Sequence, residues 1–237
     1  MTTNFLQSTD AQEWNPESAY LLGLLFADGH SPKGERKPVT LTTIDRQLAN
    51  LVCSLVKAKQ HWHPPKGIGK KEVCRCIINV ESSETFRAMG LPVGNKIGKL
   101  EWPPLLPHRF ARDFIRGFFD GDGWTARNVC TIGFASKSLP LLLAIEYIGQ
   151  GLYCAPQEIR EYQACYRLCY ADIVDVAKWG MYLYLYPTTD ICLLRKRKRL
   201  FDNLGASQIP DTSDLRYGIG EAIPLAMHTH VLDSQPC

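Results

Sequence analysis

The chain has 237 residues, of which 45% are hydrophobic and 22% charged, with a formal net charge of +3. This composition is typical of a globular protein, and the length allows one large or two small domains with hydrophobic cores. No apolar run reaches the roughly 18 to 20 residues of a membrane span, and the N-terminus lacks the basic start and apolar stretch of a signal peptide. We therefore expect a soluble intracellular protein, in the cytoplasm or an organelle matrix.

A sequence repeat divides the chain into two similar units. AYLLGLLFADGH at 19–30 matches DFIRGFFDGDGW at 113–124, an offset of 94 residues, and weaker matches continue downstream at offsets of 90 to 92. The proline-rich segment 101–109 separates the units, because proline ends a preceding helix. The predicted organisation is an N-terminal half-domain at 1–107, a C-terminal half-domain at 108–204 and an acidic C-terminal tail at 205–237.

Both units repeat one order of predicted elements: an apolar helix ending in Asp-Gly, a hairpin, a second helix, another hairpin and further helix. In the first unit these elements are predicted at 17–28, 39–44, 46–59, 72–80 and 82–89. In the second unit they are predicted at 110–121, 125–134, 138–148, 157–170 and 172–184, with a last helix near 189–203.

The charge is unevenly distributed along these elements. Residues 202–237 carry five acids and one arginine, a net charge of −4, which leaves +7 on the other 201 residues. Two runs are strongly basic: 57–75, with six Lys or Arg and one Glu, and 195–199, which reads RKRKR. Such runs favour a polyanionic partner, although a solvated basic face is their commoner explanation.

The first helix of each unit carries small residues four positions apart. They are Gly23 and Ala27 in one helix, and Gly117 and Gly121 in the other. Residues at this spacing share a helix face, and without large side chains there another backbone can approach closely. The sequence therefore predicts that these two helices pack against each other.

Each of these helices ends in an aspartate, Asp28 or Asp122. In a pseudo-twofold pair the two carboxylates meet, where like charges repel and both lie at the negative end of a helix dipole. A divalent cation such as Mg²⁺ removes that repulsion and can activate water for phosphodiester hydrolysis. A single Asp-Gly after an apolar run is more often a turn or helix cap. Its duplication at matching positions favours the metal site.

Several other sites are excluded by spacing. An EF-hand that starts at Asp120 would need Glu where Thr131 stands. The nine cysteines are odd in number and show no CxxC pair, so neither a disulfide framework nor a zinc ribbon is indicated. His61 and His63 have no Cys or acid at zinc-ligand spacing. No phosphate-binding loop, nucleophile elbow or dinucleotide-binding glycine pattern is present.

The nonapeptides LLGLLFADG at 21–29 and IRGFFDGDG at 115–123 resemble the paired signature of LAGLIDADG homing endonucleases in their single-chain form. The resemblance extends over roughly residues 18–201. It implies an α+β fold of two pseudo-twofold-related αββαββ half-domains, with the signature helices at the interface and two antiparallel sheets forming a saddle over duplex DNA. It also implies a monomer that cleaves both strands of a long, rare target with Mg²⁺, leaving staggered ends.

The resemblance also implies roles for individual residues. The eighth motif letter, which binds metal in the family, corresponds to Asp28 and Asp122, and the backbone carbonyls of Ala27 and Gly121 are further implied ligands. At the sixth letter, normally Asp, the two motifs have Phe26 and Asp120. The basic residue that the family often places near each metal resembles Lys196 well and Lys96 less closely, since a solvated face explains Lys96 equally well.

Strand alternation predicts which side chains face DNA, because every second residue points to the same side of a sheet. The apolar set of the first hairpin is Cys74, Cys76, Ile78 and Val80, and that of the second is Ala126, Cys130, Ile132 and Phe134. The predicted DNA-binding residues are His30, Lys33, Arg36, Lys37, Thr40, Thr42, Lys70, Lys71, Arg75, Trp124, Arg127, Asn128, Thr131, Lys137, Arg160, Tyr162 and Arg167. We expect about half of them to make no base contact.

Two alternatives use the same scaffold. An RNA-splicing maturase would need the basic surface without the metal centre, and RNA becomes a partner only in that case. Loss of a motif acid would favour a non-catalytic DNA-binding regulator, but both acids are present. No intein splicing residues flank the repeat, so an intron-encoded protein is the expected gene context.

Overall fold

The computed structural model describes residues 14–34, 36–65, 67, 69–126, 129–156, 158–185 and 191–205. The elements of the first half are α1 (Pro16–Asp28), β1 (Gly29–His30), β2 (Thr40–Thr43), α2 (Arg46–Leu55), β3 (Ala58–His63), β4 (Val73–Ile78) and α3 (Val80–Ala88). A 3-10 turn (His108–Phe110) leads into the second half: α4 (Ala111–Asp122), β5 (Trp124–Thr125), β6 (Ile132–Ser136), α5 (Leu139–Gly151), β7 (Arg160–Tyr162), β8 (Cys165–Tyr170), α6 (Ile173–Tyr184) and α7 (Leu194–Leu204).

Each half builds one antiparallel four-stranded sheet of the same topology. The strand orders are β1-β2-β4-β3 in the first half and β5-β6-β8-β7 in the second. In the first sheet Arg75 pairs with Thr42 on one side and His61 on the other. In the second, Arg167 pairs with Ala135 and Arg160. The predicted α+β fold of two αββαββ halves is confirmed.

The signature helices α1 and α4 form the interface between the halves, because glycine removes the side chains that would hold their backbones apart. A Cβ added at Gly23 would lie 1.9 Å from the carbonyl oxygen of Phe114, and one at Gly117 would lie 1.9 Å from that of Tyr20. These two contacts are related by the 94-residue offset. Buried side chains continue all round α1, since the helix packs on its own sheet as well as on α4.

Local signals explain where the helices begin. Asn15 caps α1 in a capping box with Ser18, and Pro16 occupies the first turn. The aspartates Asp45 and Asp172 accept hydrogen bonds from the first backbone N–H groups of α2 and α6. Short polar caps in the sequence thus specify where these three helices begin.

Some sequence expectations were wrong in detail. The helix predicted at 46–59 ends at Leu55, and β3 follows where no separate strand was predicted. Val80 was expected to face the core from a strand, but it is 36% exposed at the start of α3. The reason is that the Asn79 side chain accepts the Ser82 N–H and caps a helix there. The domain limits 1–107, 108–204 and 205–237 stay predictions, and residues 206–237 lie outside the described part.

Within the described residues, no helix combines the length and the apolar character needed to cross a bilayer.

Candidate active site at the paired helix ends

The ends of α1 and α4 come together at the bottom of the helix interface. A Cβ added at Gly121 would lie 2.3 Å from the Cβ of Ala27 and 3.6 Å from the Asp28 Oδ2. Both Asp28 and Asp122 are the last residues of their helices and are exposed. The structure therefore brings together the two carboxylates that the sequence repeat singled out.

Each helix end also receives one lysine from its own half. Lys96 Nζ donates to the carbonyl oxygens of Phe26 at 2.7 Å and Leu25 at 3.2 Å, and also to that of Ala27. An ammonium group at this position balances the negative end of the helix dipole. Lys96 thus lies beside the end of α1, although the sequence supported this position less strongly than the corresponding one of Lys196.

Lys196 makes the corresponding contacts at the end of α4. Its Nζ donates to the carbonyl oxygens of Phe119 at 2.6 Å, Gly123 at 2.5 Å and Gly121 at 3.0 Å. Phe119 and Gly121 are the repeat equivalents of Leu25 and Ala27, which accept from Lys96. The two lysines therefore occupy equivalent positions in the two halves.

The carboxylates and the lysines shift one another's pKa values. Loss of hydration, followed by repulsion from Asp28, raises the pKa of Asp122 to about 6, and the two lysines oppose this shift. Loss of hydration also raises the pKa of Asp28, again against both lysines. Because both aspartates are exposed, solvent screening makes the repulsion between them weaker than these shifts suggest.

Burial lowers the pKa of each lysine to about 8. Asp122 and Asp28 oppose this shift for Lys96. For Lys196 the strongest opposing group is Asp120. An ammonium group with a pKa near 8 is charged in most molecules at pH 7, yet it can release its proton within a short pH interval. Both lysines can therefore donate hydrogen bonds at neutral pH.

The oxygens at the helix ends suit a hard divalent cation. Two carboxylates, Asp28 and Asp122, lie beside the carbonyls of Ala27 and Gly121, and a carbonyl that accepts one lysine hydrogen bond retains a second lone pair. Among the described residues there is no group of three or more His, Cys, Asp or Glu arranged to hold a metal. Mg²⁺ fits such a site because it commonly keeps several waters and needs only one or two carboxylates.

Most predicted DNA-binding residues lie on the outer sheet faces or in exposed loops. Thr42, Arg75, Arg160, Tyr162 and Arg167 are exposed strand residues, and His30 is exposed at the end of β1. Further exposed positions in loops are Lys33, Arg36, Lys37, Lys70, Lys71 and Lys137, whereas Thr40, Trp124 and Thr131 are half-buried. Arg127 and Asn128 lie outside the described residues.

The second sheet holds one arginine between aromatic rings. The guanidinium carbon of Arg167 lies 4.1 Å from the ring centroid of Tyr162 and 5.8 Å from that of Trp124. The Trp124 indole covers Gly133, where an added Cβ would lie only 2.2 Å from the ring. This packing restricts the guanidinium before any ligand binds.

Sequence reasoning missed His61 as a surface residue. It is exposed on β3 and pairs with Arg75. The sequence signal was the alternation of Lys59, His61 and His63 with less polar neighbours along β3. The helix predicted at 46–59 overlaps the start of this strand, so the alternation was not recognised.

Comparison with known proteins gives one family match. Residues 109–175 match the model of a LAGLIDADG-like domain. No curated protein is similar enough in sequence to match.

Solved structures match over both halves. I-DmoI in complex with DNA and Mn is 20% identical, with a TM-score of 0.51 over 73% of this chain and 98% of that one. I-WcaI bound to its DNA recognition sequence is 10% identical, with a TM-score of 0.56 over 84% and 90%. Full-length DUF199/WhiA from Thermatoga maritima is 14% identical, with a TM-score of 0.51 over 83% and 62%. At these identities the likeness shows the fold.

Proposed function

Because the chain belongs to the LAGLIDADG family in its single-chain, two-motif form, we propose that it is a site-specific homing endonuclease. It acts as a monomer and cuts both strands of a long duplex DNA target by Mg²⁺-dependent phosphodiester hydrolysis, leaving staggered ends. The observation that carries this proposal is the pair of exposed aspartates at adjoining helix ends, each helix end contacted by a lysine.

The charge pattern of the site supports phosphate chemistry. Asp28 and Asp122, with the carbonyls of Ala27 and Gly121, would hold the cation, and a bound divalent cation activates water and stabilises the leaving oxygen. The cation also removes the repulsion that raises the pKa of Asp122.

The lysines would act on the phosphate and the attacking water. Lys96 and Lys196 are each anchored on backbone carbonyls, so their ammonium groups stay beside the carboxylates. At neutral pH their positive charge would stabilise the negative charge that develops on a nearby phosphate oxygen. Each lysine then serves the strand nearest its own half.

The outer faces of the two sheets would bind the DNA. Antiparallel ribbons fit the major groove, where base edges differ in their donors and acceptors. Arg75 and Arg167 occupy equivalent central strands, and an arginine can read guanine with two hydrogen bonds. The loop lysines Lys33, Lys70 and Lys71 suit phosphate contacts, which orient the protein without reading sequence.

A non-catalytic DNA-binding protein is the alternative. The likeness to the DUF199/WhiA structure shows that this fold also occurs in a protein whose name does not describe a homing endonuclease. Both motif acids favour the nuclease, since a protein that only binds DNA has no need for paired carboxylates close to phosphates.

The test replaces Asp28 or Asp122 by asparagine. We would select cleaved sites from a randomised DNA pool with Mg²⁺ and then compare the variants on a recovered site, using Ca²⁺ to measure binding alone. We expect cleavage to fall to background while DNA affinity stays within a fewfold. Asp202→Asn, which changes an exposed acid paired with Lys198, is the matched control and should cut normally. Unchanged cutting by both motif variants would rule out this assignment.

A further inference from the structure

The segment that leads into α7 is held by two side chains of α4. Arg116 Nε donates to the Ile191 carbonyl at 2.9 Å, and the Leu193 N–H donates to Asp120 Oδ2 at 2.7 Å. Arg116 and Asp120 are four residues apart, so they share a face of α4. The backbone of this segment is therefore fixed to the same helix whose C-terminal carbonyls accept Lys196.

The first half holds the same segment from the opposite side. Gln47 at the start of α2 donates from Nε2 to the Cys192 carbonyl at 3.1 Å, and its Oε1 accepts the Leu194 N–H at 3.2 Å. Arg195 Nε donates to Asp45 Oδ2 at 2.7 Å. Every residue from Ile191 to Arg195 thus has a backbone or side-chain bond to α4, to α2 or to the residue that caps α2.

Asp120 is buried, and its carboxylate is saturated with donors. Tyr20 Oη donates to Oδ2 at 2.8 Å and Tyr184 Oη donates to Oδ1 at 2.7 Å, in addition to the Leu193 N–H. A buried carboxylate is tolerated only when its hydrogen bonds are satisfied. Such a network has one low-energy arrangement, so it fixes the position of the Leu193 backbone.

The consequence for Lys196 follows from its place in α7. It is the third residue of that helix, and its N–H donates to the Leu193 carbonyl at 2.9 Å. A shift of Leu193 would therefore carry the Lys196 side chain off its carbonyl contacts. The first half lacks this arrangement, because the repeat equivalents of Asp120 and Arg116 are Phe26 and Leu22.

We propose that Asp120 and Gln47 are positioning residues that hold the entry of α7 and thereby place Lys196 at the end of α4. The proposal rests on the function proposed above, in which each lysine serves one strand. Cutting of the strand that depends on Lys196 then requires Asp120 and Gln47, whereas cutting of the other strand does not. Gln47 belongs to the first half, so the first half sets the geometry of a lysine in the second.

The activity test resolves the two strands. A recovered target site in a supercoiled plasmid with each strand end-labelled gives separate rates, and Lys196→Met identifies the strand that Lys196 serves. We expect Asp120→Leu, which removes the acceptor for the Leu193 N–H, and Gln47→Leu to slow that same strand about 100-fold, as misplacement of a catalytic group by about 1 Å does. The other strand should keep its rate within twofold, so nicked plasmid accumulates. Gln47→Glu keeps the acceptor for Leu194 and should recover part of the rate.

A structural readout needs neither DNA nor metal. Amide hydrogen exchange of residues 191–197 should speed up about 10-fold or more in Asp120→Leu and Gln47→Leu. Tyr184→Phe is the matched control, because it removes the bond to Oδ1 and leaves the one between Asp120 and Leu193. This control should change neither strand selectivity nor exchange of the segment.

The outcomes separate the two proposals. If Lys196→Met slows neither strand, the lysine role in the proposed function fails, while faster exchange in Asp120→Leu still supports the positioning contact. If Lys196→Met slows one strand but Asp120→Leu cuts it within twofold of normal, the positioning role is wrong. Equal effects of Asp120→Leu and Tyr184→Phe on both strands would also overturn it, since both then act through general stability.

Discussion

The two halves bring a lysine to equivalent carbonyls but support it differently. Lys96 lies in a loop of the first half, next to the exposed residues Asn95 and Ile97. Lys196 lies in the first turn of a helix whose entry is bonded to both halves. The comparison shows that a lysine can bind the carbonyls at a helix end without a buried polar network beside it. The buried polar network around Asp120 occurs in the second half alone among the described residues, so we expect that half to be the more sensitive to substitution.

The outer sheet surfaces, which are proposed to bind DNA, also differ between the two halves. In the first half β3 and β4 are joined by a long connection that carries Lys70 and Lys71. In the second half the turn between β7 and β8 has two residues, Gln163 and Ala164, both with positive φ, as in a tight hairpin turn. In the proposed DNA complex, the exposed lysines of the first surface suit phosphates, and the stacked arginine of the second suits base edges.

The largest expected effect breaks what the halves share, the helix interface. Gly23→Ala and Gly117→Ala each place a Cβ 1.9 Å from a backbone oxygen of the partner helix, so the helices must separate. Overpacking of this kind costs about 1 to 3 kcal/mol and sometimes more. We expect each variant to lose about 3 kcal/mol or more in the free energy of unfolding, measured with urea.

Gly98→Asn is the control for the interface glycines. Its φ of 70° is positive, unlike those of the helical glycines, but asparagine tolerates this backbone conformation and no atom lies within 4 Å of an added Cβ. It should unfold within about 1 kcal/mol of the unmodified protein. Equal stability of Gly117→Ala and Gly98→Asn would show that α1 and α4 do not pack closely at Gly117.

The next effect concerns the sixth motif position, where the halves differ most. Asp120→Asn keeps the side-chain volume but leaves one acceptor oxygen, which can take at most two of the three hydrogen bonds from Tyr20, Tyr184 and Leu193. Leaving a buried group unsatisfied costs about 1 to 3 kcal/mol. Phe26→Leu, at the equivalent position, should lower the free energy of unfolding less, by about 1 kcal/mol, because it replaces the ring contact with Phe114 by an aliphatic one. Thermal unfolding measures both, and a larger loss for Phe26→Leu would contradict the ranking.

The sequence predicted the parts of this molecule that rest on local patterns. The helix ends at Asp28 and Asp122 followed from the repeat, because an apolar 3.6-residue period with a closing Asp-Gly is readable without tertiary information. The strand β3 was missed because α2 and β3 lie only two residues apart, with no Gly or Pro between them. Short polar caps could be read, but the length of α2 could not.

Longer-range features were not predictable from the sequence. The basic run 195–199 suggested a surface for a polyanion, yet Lys196 is buried against backbone carbonyls and Arg195 pairs with Asp45. The contacts of Asp120 join residues that lie 64 to 100 positions away in the chain. No period or spacing reports such contacts, so Asp120 could be recognised only as a consensus letter without a role.

The smallest expected effect concerns the carboxylate pair, to which each half contributes one aspartate. Loss of hydration and Asp28 raise the pKa of Asp122 to about 6 from an ordinary value near 4, so the folded state binds more protons than the unfolded state between these pH values. Stability of the metal-free protein should therefore fall as pH rises from about 4 to 6. Asp122→Asn removes this penalty and should raise stability at pH 7 by about 1 kcal/mol after allowance for solvent screening, or about 2 to 4 °C in Tm.

The same variant distinguishes repulsion from other effects of the substitution. At pH 4 Asp122→Asn should give no gain, because the carboxyl that it replaces is already neutral there. Mg²⁺ should stabilise the unmodified protein at pH 7 and reduce the advantage of the variant, since the cation needs both carboxylates. Because the repulsion is mutual, Asp28→Asn should lower the pKa of Asp122 and weaken the pH dependence of Tm. An unchanged Tm profile in both variants would mean that the two carboxylates do not interact, and the proposed metal site would then lose its electrostatic basis.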